Sequence, residues 1–162
     1  MARTSKDETG VTISILDRLL DYDPDASREA DVSRPKSVRQ LRDAVKRDLE
    51  WLLNTRQLAP DLLADLKEIN NSVAAFGLPD FTNLNPQKIE DQKEIRRQIE
   101  NTIRIFEPRL ESVVVTFQPS QSTDRLMHFR INAHLKLSPE PEPIAFDTVV
   151  QMGSGQYVVH EE

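Results

Sequence analysis

The chain of 162 residues contains no cysteine. Disulfides, thiol nucleophiles and thiolate metal ligands are therefore excluded, and the compartment is left open with the cytosol favoured. An excess of positive charge is also missing: 21 Lys and Arg stand against 27 Asp and Glu, for a net charge of -6. Domains that bind nucleic acid by neutralising phosphates are usually basic, so no nucleic-acid partner is expected. No apolar run approaches the roughly 18 to 20 residues of a membrane span, and Met1 to Gly10 has none of the hydrophobic core of a signal peptide. Neither membrane insertion nor export is expected. Histidine is scarce as well. His128 and His134 stand six apart on one predicted strand and His160 lies near the end, a spacing that makes no metal site without a further ligand. No metal, cofactor or small-molecule substrate is expected, and there is no internal repeat.

What is present is the composition of a globular domain, 38% hydrophobic and 30% charged. A chain of this length buries about two thirds of its unfolded surface and folds as one domain. Met1 to Gly10 reads as a polar, disordered start. Ser14 caps a short helix whose Ile15, Leu16, Leu19 and Leu20 form one apolar stripe, suited to docking on the body or on a partner. The proline- and charge-rich stretch from Asp21 to Lys36 reads as a linker. The expected organisation is therefore a flexible region over residues 1–36 that carries the docking helix, followed by one α+β domain over 37–162.

The second helix is marked by the capping-box pattern Ser37 and Gln40, followed by Val38, Leu41, Val45, Leu49 and Leu52 at spacings of three and four. Asp48, Glu50, Arg39, Arg42, Lys46 and Arg47 take the other positions, as a solvated face or as a face turned to a partner. Trp51 is expected in the core or at its edge. Leu62, Leu63, Leu66 and Ile69 suggest a short helix, and Gly77-Leu78-Pro79-Asp80 a turn. A third helix is predicted from about Gln87 to Phe106, with Ile95, Ile99, Ile103 and Phe106 facing the core and Ile89 at its entrance.

That helix should stop at Phe106-Glu107-Pro108-Arg109-Leu110. Pro108 offers no N–H and biases Glu107 away from the α region. The β-branched and aromatic run Val113 to Phe117 then suits a strand. Glu107 and Arg109, two apart in an extended segment, project from the same side. Met127, Phe129, Ile131, Ala133, Leu135 and Leu137 alternate with polar residues, as in a half-buried strand with one wet face. Further strands are expected near Ile144 to Met152 and, after Gly153-Ser154-Gly155, at Tyr157 to Val159. Short links between neighbouring strands predict an α+β fold, with N-terminal helices packed on one face of a C-terminal antiparallel β-meander of about four strands.

Four motifs in order carry a resemblance to a known family. They are Leu16-Asp17-Arg18-Leu19-Leu20; Ser37-Val38 with Arg47 to Arg56; Gly77-Leu78-Pro79-Asp80; and Ile105-Phe106-Glu107-Pro108-Arg109-Leu110. Together they resemble the TssE family of type VI secretion baseplate wedge subunits, similar to phage-tail baseplate wedge proteins whose family label includes "lysozyme-like". The resemblance implies a cytoplasmic subunit that joins the other wedge proteins and helps start the contractile sheath. It also implies that Glu107, Pro108 and Arg109 form a contact toward the wedge core. Leu16, Leu19 and Leu20 are expected to join in assembly. The final strand is the expected edge toward the sheath, with Val158 supplying a backbone donor to it. On this view Arg109→Ala damages the interface and leaves folding nearly unchanged.

Two other classes compete. A soluble module of similar fold, acting as an anti-adaptor does, would use the same surfaces to occupy a regulatory protein; the Leu16 to Leu20 stripe and the Glu-Pro-Arg motif favour assembly instead. A glycosidase needs two carboxylates about 5 to 10 Å apart, one with a raised pKa. Glu107 with Glu111, or Glu50 with Asp48, are candidate pairs, but acidic residues are abundant and nothing singles a pair out. Arg109 beside Glu107 also acts to lower rather than raise its pKa. The isolated protein is therefore expected to release no peptidoglycan fragments above a buffer blank. Turnover abolished by Glu107→Gln would overturn that expectation.

Overall fold

The computed structural model describes residues 34–57, 67–81, 83–85, 88–118, 126–151 and 156–161. Helix α1 spans Arg34–Asn54, followed by a single turn α2 at Lys67–Asn70, a 3-10 turn at Val73–Ala75, and helix α3 at Ile89–Phe106. Strands β1 (Leu110–Gln118), β2 (Leu126–Leu135), β3 (Glu142–Gln151) and β4 (Tyr157–Glu161) follow. They form one antiparallel sheet in the order β1-β2-β3-β4, the predicted α+β meander. Leu16, Leu19 and Leu20 lie outside the described residues, as do Leu62, Leu63 and Leu66.

Helix α1 starts at Arg34, three residues before the capping-box signal, so the end of the expected linker is helical. Pro35 is compatible with that start, because the N–H it lacks has no intrahelical partner in the first turn. Leu41, Val45, Leu49, Leu52 and Leu53 of α1 are buried, and so are Ile95, Ile99 and Ile103 of α3. Phe106 is half-buried and meets Phe76 edge to face at 5.3 Å. Ile89 is exposed at the helix start. Trp51 corrects its expectation: it is 66% exposed, not core. It follows Glu50 and precedes Leu52, and on a 3.6-residue period that offset turns it off the apolar stripe.

The helix-facing side of the sheet alternates as predicted. Phe129, Ile131, Ala133 and Leu135 of β2 are buried beside Val115 of β1, Ile144, Phe146 and Val150 of β3, and Tyr157 and Val159 of β4. Phe129 packs edge to face against both Phe117 and Tyr157, and burial pushes the Tyr157 hydroxyl up to about 12. The opposite side is wetter. Arg130 and Asp147 pair there at 2.8 and 2.9 Å, and these hydrogen bonds hold Asp147 below the usual carboxylate range.

Two irregularities shape the frame. At Gly77 the backbone has φ +109°, and a Cβ there would stand 2.4 Å from the Thr55 carbonyl oxygen. Only glycine permits this approach. It lets Leu78 N–H donate to Thr55 O at 2.8 Å and Leu78 O accept from Gln57 N–H at 2.9 Å, tying the predicted turn to the end of α1. In β1 the register shifts between Glu111 and Val114, with Ser112 at φ +53°, a bulge that bends the strand and increases its twist.

Candidate functional site

Helix α3 ends where Pro108 requires. Glu107 N–H still donates to Ile103 O at 2.8 Å, then the Glu107 backbone leaves the helix at φ -121° and ψ 76°. Leu110 N–H donates back to Glu107 O at 3.1 Å. Lys136 fastens the turn from β2 outward, its N–H donating to Arg109 O and its Nζ to Pro108 O, both at 2.8 Å. The carbonyls of the Glu-Pro-Arg turn are thus already bonded within the subunit.

The side chains of the turn form a brace. Arg109 Nε donates to Glu107 Oε1 at 2.6 Å and Nη2 to Oε2 at 2.5 Å, a two-pronged grip on one carboxylate. Nη2 also reaches Asp48 Oδ2 of α1 at 2.6 Å, while Arg47 holds Oδ1 of the same aspartate. Glu107 is buried at 3% exposure. Burial acts to lower the Arg109 pKa, but hydrogen bonds and charge from Glu107, and then from Asp48, outweigh it and raise the pKa overall. The guanidinium is therefore a fixed cation joining the α3–β1 turn to α1.

This geometry decides what each predicted residue presents. Glu107 faces inward, Pro108 is exposed, and the Arg109 side chain keeps 22% of its surface open. Glu107 is held by a cation, and Asp48 by two. Asp48 was read as one of the outward positions of α1. It stands seven residues after Leu41, three after Val45 and four before Leu52, which puts it half-buried at the rim of the apolar stripe. An acid at that position was the available signal for a buried-side partner.

The second predicted site is the sheet edge. Strand β4 is an edge strand, and the Val158 side chain is 44% exposed. The Val158 N–H does not face the edge, however. Asn54 at the end of α1 accepts from Tyr157 N–H at 2.9 Å and donates to Tyr157 O at 2.8 Å. Both backbone groups of Tyr157 therefore point away from β3. Strand residues alternate in this respect, so Val159 and Glu161 share the outward direction while Val158 and His160 bond β3. Val158 indeed pairs with Val149. The outward donor at this edge belongs to Val159.

The three histidines do not converge on a metal set: among the described residues no group of three or more metal-ligating side chains occurs. No described helix is long and apolar enough to cross a membrane. Near the far end of β4, Arg42 of α1 bonds both Glu142 and Glu161, the latter at 3.1 Å.

Removing Arg109 would leave the Glu107 carboxylate buried without its cation. Arg109→Ala is therefore expected to destabilise the free subunit by about 3 kcal/mol, against the near-neutral effect read from sequence, and thermal melts followed by circular dichroism measure it. A melting temperature within about 2 °C of the parent, well under the shift that loss implies, would show that the brace contributes nothing to folding.

No curated protein sequence matches the chain. A solved chain described as "The baseplate complex from the type VI secretion system" is similar at 20% identity and a TM-score of 0.47, over 70% of this chain and 96% of that chain. The family described as "Baseplate wedge protein gp25" matches residues 39–140, a span from the first turns of α1 to the link before β3 that includes the whole brace. With more than half of its length so matched, this chain belongs to the baseplate wedge protein gp25 family.

Proposed function

We propose that this chain is a non-enzymatic, cytoplasmic structural subunit of a type VI secretion baseplate wedge, which binds the other wedge proteins and helps initiate the contractile sheath. The family match across residues 39–140 carries the reading, and the ordered motifs from Leu16 to Leu110 support the type VI setting. The proposed wedge contact is the Glu107-Pro108-Arg109 turn, where exposed Pro108 and the open part of the guanidinium meet the partner while Glu107 holds Arg109 in place from behind. Leu16, Leu19 and Leu20 are proposed as a second contact.

The proposed sheath contact is the free edge of β4. An extended partner segment adds to such an edge by backbone hydrogen bonds, with little demand on its sequence. The outward groups of Val159 are the ones proposed to pair, because Asn54 already occupies those of Tyr157; at 2% exposure Val159 has to be uncovered before a partner reaches them. Proline at 159 removes that donor without breaking a bond to β3. Val159 is buried, so Val159→Ala serves as the control for lost packing with the donor kept.

The test is co-expression with the remaining baseplate proteins, followed by co-purification and by counting sheaths in cells. The parent and both variants should co-purify, the alanine variant should support sheaths, and the proline variant should not. Sheaths at the normal frequency on a Val159→Pro baseplate would exclude this edge. Failure of the parent chain to co-purify with any baseplate protein would remove the wedge reading itself.

A further inference from the structure

Among the described residues, the backbone of each outer strand is bonded by one side chain from a different helix. At β4, the Asn54 carboxamide bonds both the N–H and the C=O of Tyr157. That donor and acceptor pair is what a peptide group of a fifth strand would offer. At β1, Glu100 Oε1 of α3 accepts from Val115 N–H at 2.9 Å. Backbone direction alternates residue by residue and carries through the register Val149↔Val158, Phe129↔Thr148 and Thr116↔Arg130. Starting from an outward Tyr157, this counting makes Val115 outward as well. The two contacts are therefore independent and consistent with one sheet.

Without them, each edge would suit a second copy of the same chain. Two β4 strands about a twofold axis at Val159 would place Tyr157 of each opposite Glu161 of the other, and all outward groups would pair. Two β1 strands about an axis at Val115 would match Val113 with Phe117 in the same way. Isologous pairing of this kind is the ordinary route to dimers through exposed edges. Asn54 withdraws Tyr157, at both ends of the first arrangement. Glu100 fills the central position of the second and would bring two carboxylates together at its axis. Val115 and Val159, the residues on the two axes, are 1% and 2% exposed, so both are covered in the single chain.

We infer that Asn54 and Glu100 are edge plugs that prevent a second copy of this chain from extending its β-sheet. The inference rests on the backbone contacts and does not depend on the baseplate reading. It assigns these side chains a role in keeping free subunits apart, beyond their share in stability.

Sedimentation velocity over a concentration series tests it, on the full chain, with hydrogen exchange of the Val159 and Phe117 amides as the second readout. Asn54→Ala/Glu100→Ala should self-associate at least about tenfold more tightly than the parent, the effect of roughly one or two recovered backbone hydrogen bonds. The amides of Val159 and Phe117 should slow on association. If that variant does not fold, the single variants Asn54→Ala and Glu100→Ala carry the same test, each removing the side chain from one edge. A folded variant that stays as monomeric as the parent overturns the inference. So does association that leaves both amides exchanging freely, because the contact then lies elsewhere.

Discussion

One guanidinium joins the two halves of this fold. Arg109 follows the proline that ends α3, yet its side chain turns back to the buried Glu107 and across to Asp48 on α1. The interaction ties the turn between α3 and β1 to α1, and β1 pairs with β2 along the meander. A buried carboxylate is tolerated only with a cation and hydrogen bonds in place. The turn therefore has one arrangement open to it. Pro108 on that turn is solvent-facing, and the bonds to the carbonyls on either side hold it in place.

The sheet is the other half of the account. Its helix-facing side is a continuous apolar layer, while its outer side carries Arg130, Asp147 and the histidines. A four-stranded meander leaves two edges, each with backbone groups that would pair with another chain if left open. Shortness of β4, the bulge at Ser112 and polar side chains set against the edges all act against such pairing.

Much of this was legible in the chain. The stop of α3 followed from Pro108, the buried face of β2 from its alternation, and the turn at residue 77 from Gly-Leu-Pro-Asp. What was missed depends on tertiary geometry. Pro35 falls in the proline- and charge-rich stretch expected to be a linker, yet it sits in the first turn of a helix that accepts it. Trp51 is expected in the core or at its edge, although its phase on the helix places it outside both. Asp48 reads as part of the charged face, although its spacing from Leu41, Val45 and Leu52 puts it at the rim of the apolar one. The roles of Asn54 and Glu100 were not readable, since periodicity gives the face of a strand residue but not the direction of its N–H. That direction is known only when the neighbour of each strand is known, and here it moves the edge donor from Val158 to Val159.

The most direct test of the account is a double-mutant cycle between Glu107 and Arg109 in the free subunit, with stability measured by denaturant unfolding for the parent, Glu107→Gln, Arg109→Ala and the pair. A brace predicts that the two losses are far from additive, with a coupling of about 2 kcal/mol or more. Coupling indistinguishable from zero, with each substitution near neutral, would contradict it and would leave the Glu-Pro-Arg turn without the internal support on which the rest of the fold is argued to depend.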